Sequence, residues 1–125
     1  MKKQVSTTKA PAAIGPYSQA IDLGNIVFIS GQIPVNPETG EIPEGIAAQT
    51  AQSIANIKAI LAEAGLTISD VVKTTVFLAD MSLFVPMNEV YAQNFTNPFP
   101  ARSAVAVKEL PKQVLVEIET IAVRS

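Results

Sequence analysis

The chain contains no cysteine, no histidine and no tryptophan among its 125 residues. Without cysteine there is no disulfide framework and no thiolate nucleophile, and without histidine the usual zinc ligand sets and the Cys–His or Ser–His couples are excluded as well. Charged side chains are also sparse, at 16% against roughly 25% in an ordinary soluble chain. A surface so poor in charge is expected to lie partly buried against other copies of the chain. With a net charge of −2 there is no basic footprint for nucleic acid or anionic membranes, so nucleic acid is not an expected partner. No apolar run approaches the roughly 20 residues needed to span a bilayer. Lys2-Lys3 is not followed by an apolar stretch of the signal-peptide kind. The composition therefore predicts a soluble, cytoplasmic protein forming one domain over residues 1–125, without membrane attachment.

What is present is patterned. Residues 1–16 read as an extended opening that ends at Gly15-Pro16. Tyr17–Ile21 is a short strand candidate, Asp22-Leu23-Gly24-Asn25 a turn, and Ile26–Ser30 a continuous apolar strand expected to stop at Gly31. A missing Cβ at Gly31 lets the backbone bend or another group come close. Three prolines and two glycines between Pro34 and Gly45 mark a loop. The spacing of Ile46, Thr50, Ile54, Ile57, Leu61 and Ala64 predicts a helix over 46–64, stopped by Gly65 with Leu66 folding back. Val71–Leu78 reads as a strand. A second helix is expected from an N-cap at Ser82, burying Phe84, Met87, Tyr91 and Phe95 as a core stripe. Two β-branched segments close the chain, Arg102–Val107 and Val114–Val123, split by a turn-like Lys108–Gln113. The order strand, strand, helix, strand, helix, strand, strand predicts an α+β fold, a mixed sheet with both helices on one face. The other face would be covered by self-association.

The chemistry-bearing residues lie on the two closing strands. Side chains alternate along a strand, so Arg102 and Ala104 share one face of the first, and Glu117 and Glu119 one face of the second. If the two form an antiparallel hairpin, a register matching Arg102 to an odd-numbered partner places it beside both glutamates. A slip of one residue places it on the opposite side. A cross-strand Arg–Glu pair on a solvated face is ordinary and contributes only about 0.2–1 kcal/mol, so this pattern alone does not define a site.

Five stretches together, Ala10–Ala20 (APAAIGPYSQA), Phe28–Pro34 (FISGQIP), Asn88–Tyr91 (NEVY), Pro100–Ser103 (PARS) and Val116–Val123 (VEIETIAV), closely resemble the RidA family of reactive enamine/imine deaminases. The resemblance runs over essentially the whole chain in the same motif order. It implies a chorismate-mutase-like homotrimer with a cleft at each subunit interface. By position, Arg102 matches the arginine that grips the substrate carboxylate, and Glu117 the acid that positions or activates water. Tyr17, Ser30, Gly31 and Asn88 match pocket-lining positions, and Ala104 supplies pocket backbone. Many relatives carry cysteine where Ala104 stands, and the segment before Pro100 is shorter than usual. No metal or cofactor is implied.

That inventory suits a 2-imino acid, which presents a planar carboxylate beside an electrophilic C=N carbon. An arginine can give the carboxylate two parallel charge-assisted hydrogen bonds. A glutamate can orient the attacking water and take its proton. Imines already hydrolyse in water, so positioning and one acid/base group suffice. Structural roles stand beside the functional ones: Tyr17 as a core aromatic, Ser30 and Gly31 as turn residues, Asn88 as a backbone tether, Glu119 in an ion pair. Three activities compete, namely hydrolysis of 2-aminoacrylate-type enamines and 2-iminobutanoate-type imines to 2-keto acids and ammonia, non-catalytic binding of keto acids or a protein, and action on RNA.

Overall fold

The structure, a computed structural model, describes residues Met1–Ser125. Six strands and two helices follow in the order β1 (Lys3–Val5), β2 (Ala20–Asp22), β3 (Ile26–Gln32), α1 (Ile46–Glu63), β4 (Val71–Leu78), α2 (Phe84–Asn94), β5 (Ala101–Ala106) and β6 (Val116–Val123). They form one mixed sheet in the spatial order β1-β2-β3-β6-β4-β5. Every neighbouring pair is antiparallel except β4 and β5. Parallel neighbours need a crossover, and α2 supplies it. β6, the last strand of the chain, inserts between β3 and β4, which α1 connects. The expected α+β architecture is the one observed.

The central position of β6 explains the core. Its even-numbered residues Val116, Ile118, Thr120 and Ala122 are buried, as are Thr74, Val76 and Leu78 on β4. Helix α1 lies on this face with Ile54, Ile57, Ile60 and Leu61 inward, and packs against β3, β6 and α2. Met87 and Tyr91 of α2 and Phe95 just beyond it join the same core, as their spacing predicted. The Tyr91 ring stacks on Phe95 with centroids 4.2 Å apart, and its hydroxyl meets Thr74 Oγ1 at 2.6 Å. The opposite face, toward which the odd-numbered residues of β6 point, carries Phe28 and Val105 exposed, with neither helix over it.

Helix α1 ends as the sequence predicts. Gly65 adopts φ +76°; its N–H donates to Ala62 O and that of Leu66 to Leu61 O at 2.8 Å, a Schellman arrangement that folds buried Leu66 onto the last turn. Three expectations need correction. Ser82 is not the cap of the second helical segment: Asp80 accepts from the Ser82 N–H at 2.8 Å, opening a 3₁₀ turn at Met81–Leu83 that runs into α2. Strand β2 begins at Ala20 rather than Tyr17; ahead of it Ser18 and Gln19 are hydrogen-bonded to β3 only through Ser30, by the Ser30 Oγ–Ser18 O bond and the Ser30 N–H to Gln19 O. The opening segment contains a strand, β1, on the outer edge of β2; three residues are too few to show a period.

The β5–β6 hairpin considered from the sequence does not form. β5 pairs with β4, in parallel, and β4 separates it from β6. Arg102 is level with Thr74, and Thr74 with Thr120. Arg102 therefore faces the helix side of the sheet, whereas Glu117 and Glu119 face the open side. No helix is long and apolar enough to cross a membrane.

Candidate functional site

Two clusters of candidate residues emerge, one on each face. The first is built around Arg102 on edge strand β5. Its guanidinium carbon stands 4.7 Å from the Tyr91 ring centroid and 5.4 Å from that of Phe84. Its Nη1 donates to Asn88 Oδ1 at 2.6 Å. Phe84, Asn88 and Tyr91 sit at i, i+4 and i+7 of α2 and so share one helical face, which the β4–α2–β5 crossover lays alongside Arg102. Asn88, Tyr91, Ala92, Phe99, Pro100 and Arg102 line a cleft of about 380 Å³.

The charge in this cleft is held without being neutralised. Arg102 is half-buried, yet the only ion pair in the chain joins Arg124 to Asp22. Apart from the Nη1–H to Asn88, the guanidinium N–H groups have no protein acceptor. Two aromatic faces attract the cation and leave its in-plane donors free, the arrangement a planar anion would match. Ala104, on the same face two residues along, is half-buried against the core. Burial raises the Tyr91 hydroxyl above its ordinary pKa, against the smaller lowering by Thr74 and Arg102.

The second cluster lies on the open face where β3 meets β6. Ile29 is level with Thr120 and Gln32 with Ile118, so Ser30 and Gly31 together oppose Glu119. This is a β-bulge, and strand β3 runs through Gly31 instead of stopping there. The group that comes close at Gly31 is Glu117. A Cβ built on Gly31 would overlap Glu117 Oε2 outright and lie 2.9 Å from Cδ. Burial raises the Glu117 carboxyl above its ordinary pKa, and the nearby Glu119 charge raises it further. The Ser30 hydroxyl is used on Ser18 O at 2.6 Å. Tyr17 is exposed and lines a separate surface hollow with the residue 4–13 segment.

The structure thus joins Arg102, Asn88 and Ala104 on one face, and Ser30, Gly31 and Glu117 on the other. Glu119 makes no ion pair. Sequence reasoning missed Phe84 and Tyr91 as partners of Arg102, treating both purely as core. Their seven-residue spacing, with Asn88 between them on the same face, is the signal that identifies them. It also missed Gln19, whose buried amide accepts from the Thr7 N–H and donates to Pro11 O, both at 2.7 Å, holding the opening segment against the Tyr17 region.

Residues 7–124 match the family model described as Endoribonuclease L-PSP. A 2-iminobutanoate/2-iminopropanoate deaminase of Escherichia coli strain K12 is 56% identical, covering 99% of each chain. A RutC family protein of Haemophilus influenzae is 58% identical over 99% of this chain and 98% of its own. The crystal structure of E. coli TdcF with bound serine superposes with a TM-score of 0.94 at 52% identity, covering 98% of this chain and 99% of that one. With a family model spanning nearly its whole length and full-length relatives above half identity, the chain belongs to the Endoribonuclease L-PSP family, that of the YjgF/RidA proteins.

Proposed function

We propose that this protein hydrolyses reactive 2-imino acids, and the enamines that tautomerise to them, to 2-keto acids and ammonia. The observation that carries the reading is the Arg102 guanidinium, half-buried between two rings and Asn88 with no carboxylate partner. Leaving a partly desolvated charge unpaired is costly unless a ligand completes it. A substrate carboxylate does so with two parallel hydrogen bonds. The name of the E. coli relative supplies the substrate class, and the serine held by TdcF is likewise a carboxylate beside a nitrogen-bearing carbon.

Glu117 acts on the other end of the substrate. Its raised pKa makes it a stronger base than an ordinary carboxylate. It takes a proton from water as the water oxygen attacks the imine carbon, and the C=N π pair moves to nitrogen. The carbinolamine formed then receives that proton on nitrogen. Glu117 then takes the hydroxyl proton and passes it to the same nitrogen as the C–N bond breaks, so ammonia leaves and the keto acid remains. An enamine is first protonated at carbon.

Arg102 and Glu117 belong to opposite faces of one sheet and to strands two spacings apart, roughly 10 Å. A small imino acid does not bridge them within one protomer. The reading therefore places the site where the Arg102, Asn88 and Ala104 side of one protomer meets the Ser30, Gly31 and Glu117 side of another, with Tyr17 on the rim. Exposed Phe28 and Val105 on the open face favour such an association. The resemblance gives its stoichiometry as a trimer, about 40 kDa from three copies of 13.2 kDa.

The test is to generate a 2-imino acid in situ with an amino-acid oxidase and follow keto-acid release. Arg102→Ala should abolish both binding and turnover, whereas Glu117→Gln should lower kcat more than it raises KM. Wild-type activity in Arg102→Ala refutes the site, and unchanged release in the presence of wild-type protein that binds keto acid leaves a binding module. Action on RNA is disfavoured by the acidic, histidine-free composition.

A further inference from the structure

We infer that Gly31 is a positioning residue for the Glu117 carboxylate: the bare Cα at the β3 bulge is the seat against which that carboxylate rests. The inference rests on Glu117 being the water-activating group. Ser30 and Gly31 occupy the space of one residue opposite Glu119, which turns the Gly31 Cα toward Glu117. A Cβ there would overlap Oε2 and would stand 2.9 Å from Cδ and 3.2 Å from Cγ. Oε2 and Cδ are thus both closer than any side chain at 31 would tolerate, and Cγ is in tight contact with the same space. Gly31 has no left-handed φ, so the backbone conformation does not itself require glycine. The close approach of Glu117 supplies a steric reason for the absence of a side chain.

A carboxylate seated in this way is shielded on one side by the β3 backbone, which accords with burial being the main cause of its raised pKa. The other charged groups on the open face are Glu119 on β6 and Lys73 on β4; β3 and β5 bring none. Glutamate rather than aspartate fits the seat, because position 117 lies one residue beyond the Gln32–Ile118 pairing and the chain must reach back to the bulge.

The test is a pair of substitutions read in two backgrounds. Restoring ordinary contact distance in Gly31→Ala displaces the carboxyl end by about 1 Å, a misplacement that typically costs about 100-fold in rate. Gly31→Ala is expected to lower kcat by that order and to move the acid limb of the pH–rate profile, while KM changes by a few fold at most. In a Glu117→Gln background, Gly31→Ala should lower kcat no further. A full multiplicative loss in that background would overturn the inference and assign Gly31 to the substrate wall or the backbone. Wild-type kcat in Gly31→Ala together with a slow Glu117→Gln would also overturn it, leaving the deaminase reading intact. Wild-type kcat in Glu117→Gln would overturn the underlying reading instead. If Gly31→Ala folds poorly, Gly31→Ala/Glu117→Asp removes a methylene in front of the added methyl. Recovery of folding supports the seat, and failure to recover refutes it.

Discussion

Substitutions at Tyr91 separate the two roles that the structure gives it, as a wall for the Arg102 cation and as a hydrogen-bond partner for Thr74. The ring face lies 4.7 Å from the guanidinium carbon, and a cation–π contact of this kind contributes about 0.5–2 kcal/mol. At 1.4 kcal/mol per tenfold, removing the ring in Tyr91→Leu should raise KM by about 2- to 30-fold, toward the lower end because Phe84 and Asn88 still hold the guanidinium. In the proposed reaction Arg102 would grip the carboxylate equally before and during the chemical step, so kcat should change little.

Tyr91→Phe should behave in the opposite way. The ring stays, so KM should remain within about twofold of wild type. The Thr74 hydroxyl, fully buried and 2.6 Å from the tyrosine oxygen, loses its partner, which costs about 1–3 kcal/mol of stability. Adding Thr74→Val removes both polar ends and should return most of that loss. Steady-state kinetics on imine generated in situ gives the KM values, and urea unfolding at fixed protomer concentration gives the stabilities. A Tyr91→Leu protein that is folded at the assay temperature and has wild-type KM would refute the claim that the aromatic face holds Arg102. A Tyr91→Phe/Thr74→Val protein no more stable than Tyr91→Phe alone would refute the polar pairing.

Glu117 should also show its strained environment in stability. Its folded pKa lies above its unfolded value, so the native state holds the proton more tightly and stability falls as pH rises from the unfolded pKa through the folded one. Glu117→Gln, which never ionises, should therefore be the more stable protein at neutral pH in thermal melts, with the difference vanishing below about pH 4; a less stable variant at pH 7 would contradict the burial. Met87, fully buried where α2 meets the core, should cost about 2–5 kcal/mol on truncation to alanine, measured by urea unfolding. Because α2 carries the Arg102 partners, that variant should also lose substrate affinity, and an unaltered KM would show that the cleft does not depend on helix seating.

Local structure was legible where a short-range signal was strong. Helical spacing over Ile46–Ala64 and the Gly65-Leu66 stop located α1 to within a residue of its observed end, and β-branched alternation located β4 at its observed bounds. Pairing was not legible, because two strand-like segments separated by a short polar stretch look alike whether they adjoin or flank a third strand. The connection from Ala106 to Val116 steps over β4, with Lys112 and Gln113 both in the left-handed region at φ 56° and 57°. Neither residue type announces such a turn.

The pairing error matters because it inverts the site. In a hairpin whose register matched Arg102 to an odd-numbered partner, Arg102 and Glu117 would have shared a face and satisfied each other, leaving neither for a substrate. With β4 between them, the helix side holds an arginine lacking an anion and the open side a glutamate lacking a cation. Each is half of an acid–base arrangement that one protomer does not complete. The topology keeps the charges apart within the subunit, and the proposed cleft between copies would let a carboxylate reach one and a water reach the other. Catalysis in this reading depends on association, so dilution below the dissociation constant of the assembly should lower specific activity more steeply than it lowers helical content.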